Sequence, residues 1–275
     1  MAAKDKYRGF LYLRGFLSVQ GFLCLQGFLC IAAAAVAAVL SAQTADTHRD
    51  QAAREQGWQI FQQARQAFRG GGSPSPIHDY DFALTSQLHT SEGVTKITSR
   101  TFFVYPDFVR QELDTPNGQI IIIFDGDGGW QQSAAGRREL PPEAAAQIQA
   151  ELARNNVLIG PEPDPTLVRF VGRDEVEGRP ADVVQIADVG GTLLRLFVDV
   201  ETRDVLKHTF VGDTPQGLAQ VEEVFSDFEE VAGYRWYQHR KVTRNGKVVL
   251  ESARSNLRVN AGHEQAGLIE NKTKP

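Results

Sequence analysis

The residue types best placed to do chemistry are Asp125 and Asp127, in the run Gln119-Ile-Ile-Ile-Ile-Phe124-Asp125-Gly-Asp127-Gly-Gly-Trp130. An apolar strand ending in two closely spaced carboxylates can hold a magnesium ion and present one oxygen to phosphorus as a nucleophile. The same letters also spell a tight chain reversal. Glycine supplies positive φ, and aspartate bonds back to its own backbone. The elements around the run have to decide between a catalytic loop and a turn between two strands.

Other candidate chemistry is thin. The six histidines, His48, His78, His89, His208, His239 and His263, show neither His-x-x-x-His spacing nor a cysteine partner. No zinc site or other metal site is expected, and no cofactor. Serine and threonine have no nucleophile elbow around them. The chain has 275 residues and a net charge of −5, with no basic block. A nucleic-acid partner is therefore not expected, because phosphate binding needs concentrated positive charge.

Residues 1–42 form a segment of their own. Lys4, Lys6, Arg8 and Arg14 precede an apolar run that ends in Ala32-Ala-Ala-Ala35-Val36-Ala-Ala-Val-Leu40-Ser41-Ala42. Basic, then apolar, then small is the order of a secretory signal, with cleavage after Ala42 or Ala38. The run is also long enough to span a bilayer as an uncleaved anchor. A Gly-Phe-Leu hexad recurs at Gly9, Gly15, Gly21 and Gly27; it carries no functional reading. Both cysteines, Cys24 and Cys30, lie in this leader. A cleaved chain has neither a disulfide nor a thiol, which suits an exported protein that does not rely on either.

Behind the leader, residues 43–76 hold one helix and a linker. Trp58, Phe61, Ala64 and Phe68 recur at spacings of three and four, and Gly70-Gly71-Gly72 ends the run. Strand signals fill residues 77–260. Tyr80, Phe82 and Leu84 alternate with polar neighbours, and Asn117-Gly118 and Asn245-Gly246 are hairpin turns. Pro141-Pro142-Glu143 opens a second helix to about Asn155, apolar only at Ile148 and Leu152. Val221, Val224, Phe225 and Phe228 have helical spacing in a β-branched segment and leave 218–230 ambiguous. Residues 261–275 read as a polar tail. About ten strands without strand–helix alternation predict an α+β fold. Its core is a strongly curved antiparallel sheet, an incomplete β-barrel, with an N-terminal helix and an inserted lid helix.

Two family resemblances compete. Asp125-Gly-Asp127-Gly128, with Lys207 and Val211-Gly212-Asp213-Thr214-Pro215 downstream, is similar to haloacid-dehalogenase-type phosphatases. Gly129 replaces that family's threonine, Gly217 stands where a second acidic ligand is usual, and the fold needs parallel strands joined by helices. The second resemblance covers most of the chain behind the leader. Phe102-Phe-Val-Tyr-Pro106-Asp-Phe108-Val-Arg110-Gln-Glu112, Pro116, Asp125-Gly126 and Trp130 follow one another in the order of the periplasmic outer-membrane lipoprotein-sorting (Lol carrier) family. Val198-Asp199 with Glu201-Thr-Arg203, Phe228 with Gly233, and Val259-Asn260 resemble its later corners, Arg203 standing in place of glycine. That order also assigns 218–230 mainly to strand.

The carrier resemblance implies a non-enzymatic, exported protein in the periplasm, or one anchored to the inner membrane by its leader. It implies an apolar cavity that takes the acyl chains of a lipid or a lipidated protein, and an inner- or outer-membrane delivery partner. Candidate lining residues are Phe82, Leu84, Ile121, Ile123, Trp130, Ile148 and Leu152, and by the resemblance Arg110 contacts the lid helix. The alternative to a carrier or a sensor domain of the same fold is the magnesium-dependent phosphatase using Asp125 and Asp127.

Overall fold

The β-branched and aromatic segments pair with their chain neighbours almost throughout. In the computed structural model, which describes residues 47–214 and 217–270, the strands are β1 (Asp79–Thr90), β2 (Gly93–Val104), β3 (Phe108–Thr115), β4 (Gly118–Phe124), β5 (Gly129–Ser133), β6 (Gly136–Glu139), β7 (Val168–Val176), β8 (Arg179–Val189), β9 (Thr192–Asp199), β10 (Val205–Thr214), β11 (Gly217–Val231), β12 (Tyr234–Arg244) and β13 (Lys247–Val259). They form one antiparallel sheet of 13 strands among the described residues. Its order is β6-β5-β4-β3-β2-β1-β13-β12-β11-β10-β9-β8-β7. The first and last strands in this order do not pair, so the sheet curves without closing.

Among the described residues three α-helices accompany it, α1 (residues 47–68), α2 (Pro142–Asn155) and α3 (Gln265–Glu270), with one 3-10 turn at Pro165–Leu167. The proposed leader, residues 1–42, lies outside the described residues. Among the described residues no helix is long and apolar enough to cross a membrane. From Gln51 onward the chain forms one compact unit.

The strand alternation sorts the core into two faces. On the concave face, Val168, Val184, Ile186, Leu194, Leu196 and Val198 are almost wholly inaccessible, and Ile60, Phe61 and Ala64 of α1 pack on them. Gly57 lets α1 come close. A Cβ there would stand 2.4 Å from the backbone of Arg169 and Phe170 on β7, so any side chain would push the helix off the sheet. Arg65 ties α1 to the loop after α2, its Nη2 donating to the Gly160 carbonyl at 2.9 Å.

α2 lies in the connection between β6 and β7, which are the two open edges of the sheet. Its hold is light. Pro141 at its start supplies no side-chain cap, and Ala145 is the one buried residue of the helix. Gly190, in the β8–β9 turn, approaches it closely; a Cβ there would meet the Ala150 Cα at 2.8 Å.

The convex face carries its own apolar cluster, Phe102, Phe108, Ile121 and Ile123, covered by Leu268 of α3. The tail read as polar is thus anchored through 270, because Leu268 is buried in that cluster. Beside it, Asp81 is buried and accepts from Arg258, Arg100 and His263. Burial alone would raise its carboxyl pKa, but those three donors outweigh it and hold the group below the usual aspartate value.

Candidate functional site

Under α2 the concave face is not filled. The half of the sheet that α1 does not cover leaves a cavity of about 230 Å³. Tyr80, Phe82 and Leu84 line it from β1, Val109 from β3, Ile122 from β4, Phe225 from β11 and Trp236 from β12. Phe68 closes one side from the end of α1. Ile148 and Leu152 cover it from α2, followed by Val157, Leu158 and Ile159.

Period-two geometry explains this selection. Tyr80 faces Phe103, and Phe82 faces Thr101, which faces Gln111, which faces Ile122. Directly opposed residues of antiparallel strands share a face. The aromatic rings pack together: Tyr80 lies 4.8 Å from Phe103 and 5.4 Å from Trp236, centroid to centroid. Tyr80 is fully enclosed, and burial raises its phenol well above the ordinary value, so it stays neutral.

Of the residues singled out from sequence, Phe82, Leu84, Ile148 and Leu152 lie on the cavity wall. Ile121, Ile123 and Trp130 do not. Ile123 pairs with both Arg110 and Trp130, and Ile121 pairs with Glu112, so all of them point to the convex face. There they pack around Leu268. Placing them on the cavity wall is corrected by one residue of strand phase: Ile122, between them, is the residue that points inward. Arg110 moves with them. Its guanidinium donates to the Leu268 carbonyl and to Glu112, so it holds α3 rather than the lid helix α2.

Polar groups gather at one part of the cavity wall. Arg240 is paired with Glu223 at 2.6 Å and Glu151 at 3.7 Å. Burial would lower the pKa of Arg240, but these two carboxylates outweigh it and keep the guanidinium charged. Arg235 is paired with Asp204 at 2.6 Å. His208 is wholly enclosed. Burial, then the positive charges of Arg240 and Arg154, push its pKa down to about 3, so its ring is neutral. Of these residues the sequence pointed only to His208, as one of six scattered histidines without a site. The one signal for the others was the placement of charged residues among apolar neighbours, Glu223 on β11 and Arg235 and Arg240 on β12.

The Asp125–Asp127 segment is the turn between β4 and β5. The Gly128 N–H donates to Asp125 Oδ1 at 3.1 Å, and the Asp125 N–H donates to the Gly128 carbonyl at 3.1 Å. Gly129 is required there, at φ +154°, because a Cβ would collide with the Ile123 carbonyl. Lys207 packs over the Phe197 ring on β9, and six strands separate its strand from β4 in the sheet order. The described residues contain no cluster of side chains able to hold a metal ion. This arrangement does not assemble the phosphatase loop.

No family model matches the chain, and no curated protein matches its sequence. Solved structures do match its shape. A domain assigned to outer-membrane lipoprotein sorting, from Vibrio parahaemolyticus, superposes with TM-score 0.50 at 16% identity. The match covers 79% of this chain and 98% of that one. A DUF1329 family protein from Desulfovibrio piger superposes with TM-score 0.54 at 14% identity, over 78% of this chain and 97% of that one. The chain has the incomplete-barrel fold of the lipoprotein-sorting domains, as its sequence order suggested.

Proposed function

We propose that this protein is an exported, non-enzymatic binder of acyl chains, which it holds between the concave face of the sheet and α2. The observation that carries the reading is the cavity itself: an unfilled apolar space walled by Tyr80, Phe82, Leu84, Phe225 and Trp236 and roofed by a helix with one buried residue. Each methylene moved there from water is worth roughly 0.8 kcal/mol, so about ten would give micromolar binding before ordering costs. The occupant is a lipid or the lipid anchor of a protein, received from or passed to a membrane partner in the periplasm. The leader either directs export and is removed, or keeps the domain at the inner membrane as an accessory or sensor module.

The cavity is smaller than the roughly 300–1,000 Å³ of common small-molecule sites. It suits a single chain with α2 in place, and a bulkier anchor requires α2 to swing away. The test is native mass spectrometry of the protein from soluble and membrane fractions, combined with displacement of a fluorescent acyl probe. A copurified lipid, or probe binding that Trp236→Ala weakens, supports the reading. Protein free of lipid that takes up no acyl probe overturns it. The mass of the mature chain reports the fate of the leader in the same spectrum.

A further inference from the structure

The cavity wall contains a cation that the protein leaves without a counter-ion. Arg254 stands on β13 opposite Leu84 of β1, in the middle of the concave face. Its guanidinium carbon lies 4.1 Å from the ring centroid of Tyr237, 4.7 Å from Phe82 and 5.5 Å from Trp236. Its Nη1 donates to the Tyr237 carbonyl at 3.1 Å, and its Nε has no partner. No carboxylate among the described residues forms a salt bridge with it. The contrast is local, because on the same wall Arg235 has one carboxylate partner and Arg240 has two.

Further donors around this cation are also unused. Trp236, 6% exposed, has no acceptor for its indole N–H. Arg240 Nε is likewise a buried N–H without a partner. A buried N–H donor left unsatisfied is destabilising, because it has lost its water without gaining an acceptor. Such groups normally have partners, and here they share one cavity. What satisfies them is a compact group rich in acceptors and negatively charged.

We infer that the cavity takes a free acyl amphiphile with an acidic head, a carboxylate or a phosphate, seated head-inward against Arg254 and the Trp236 N–H. This rests on the acyl-binding reading above and narrows it. A lipidated protein would have to keep its head outside, whereas the chain of a free acid-headed lipid runs from Arg254 along Phe82 and Leu84 towards Ile122 and Ile148. The aromatic rings hold the guanidinium in place before the ligand arrives, so little side-chain freedom is lost on binding.

The experiment is titration calorimetry of the delipidated protein at pH 8 with three probes of equal chain length: hexadecanoate, hexadecyl phosphate and hexadecanol. A charge-assisted contact predicts that the acids bind about 10- to 100-fold more tightly than the alcohol. Arg254→Met should bring the acid-to-alcohol ratio close to one, and Arg254→Lys should restore part of it. Melting curves of both variants show whether they fold. Trp236→Phe, which keeps the ring and removes the donor, should lower the same ratio and serves as the measure if Arg254→Met does not fold. Preference for the phosphate or for the carboxylate identifies the head group. Equal binding of acids and alcohol, or an undiminished ratio in the variants, overturns the inference while leaving acyl binding intact. If none of the three binds, both fall.

Discussion

Arg110 Nη1 donates to the carbonyl of Leu268 at 2.7 Å, across 158 residues of sequence. Arg110 is 2% exposed, and its Nε and Nη2 donate to Glu112 at 2.8 and 2.7 Å. A helix of six residues cannot hold itself together in water. α3 therefore depends on this bond and on Leu268 filling the Phe102–Ile123 cluster. Arg110→Met should cost about 1–3 kcal/mol, because it strands a buried carbonyl and leaves Glu112 without its cation. Urea unfolding measures this. Truncation after Glu264 should cause a similar loss and increase binding of a hydrophobic dye to the uncovered face. An unchanged midpoint in both variants would show that α3 is a passive tail.

The turn at Asp125 makes an opposite prediction to a catalytic one. Asp125 Oδ1 accepts from the Gly128 N–H, and asparagine offers an equivalent oxygen. Asp125→Asn should therefore leave stability within about 0.5 kcal/mol of the parent and acyl-probe affinity unchanged. Assayed with magnesium and a phosphomonoester, the parent and the variant should be equally inactive. Turnover in the parent that vanishes in the variant would restore the phosphatase reading.

These two cases show what was legible in the chain and what was not. The phase of β3, β4 and β5 relative to one another was legible, but not their phase relative to β1. The Asn117-Gly118 hairpin pairs Arg110 with Ile123, and the next turn pairs Ile123 with Trp130, so the three share a face. Which face they share depends on Leu268, whose short helix has no periodicity to announce it. All three were therefore assigned inward together and lie outward together. In β11 the difficulty was the reverse. Val221 packs in the concave core and Phe225 lines the cavity, while Val224 and Phe228 pack against the Val176, Phe197 and Leu206 cluster, and a strand apolar on both faces imitates helical spacing. The β5–β6 hairpin escaped notice because an exposed edge needs few apolar residues; β6 is Gly-Arg-Arg-Glu throughout. The cavity residues Arg254 and His208 were the least visible. Nothing local in a sequence marks a polar residue as lacking a partner.

His208 gives the fold a built-in acid sensitivity. Its ring is enclosed and faces Glu223 across the β10–β11 pair, with Arg240 and Arg154 disfavouring a further positive charge. The folded pKa of about 3 lies below the ordinary value of 6.5. Between those values the unfolded chain binds a proton that the folded one refuses, so stability falls as pH falls through that window. The loss should reach about 2 kcal/mol by pH 5. His208→Gln should flatten the slope between pH 6.5 and 4. The lowered Asp81 carboxyl acts in the same direction but below the usual aspartate range, so the two are separable. Denaturant midpoints across that range provide the test, and equal slopes in parent and variant would refute it.

The last relationship concerns how a ligand gets in. α2 roofs the cavity through Ile148 and Leu152 and rests its other side on the β8–β9 turn at Gly190. Gly190 sits at φ +59°, and a Cβ there would lie 2.8 Å from the Ala150 Cα and 3.2 Å from the Ala153 Cβ. Gly190→Ala therefore combines backbone strain with a direct push on the helix, together about 1–3 kcal/mol. The sheet is untouched, so the strain falls on the contact between α2 and the turn. Stopped-flow release of an acyl probe should speed up severalfold, with a smaller change in the rate of uptake. Leu152→Ala removes roof surface without pushing the helix. It should weaken probe binding by roughly 1–3 kcal/mol, in line with the apolar side chain lost from the wall. Should Gly190→Ala lower the melting temperature but leave probe release unchanged, α2 would be a fixed wall, and entry would have to occur between the open edges β6 and β7.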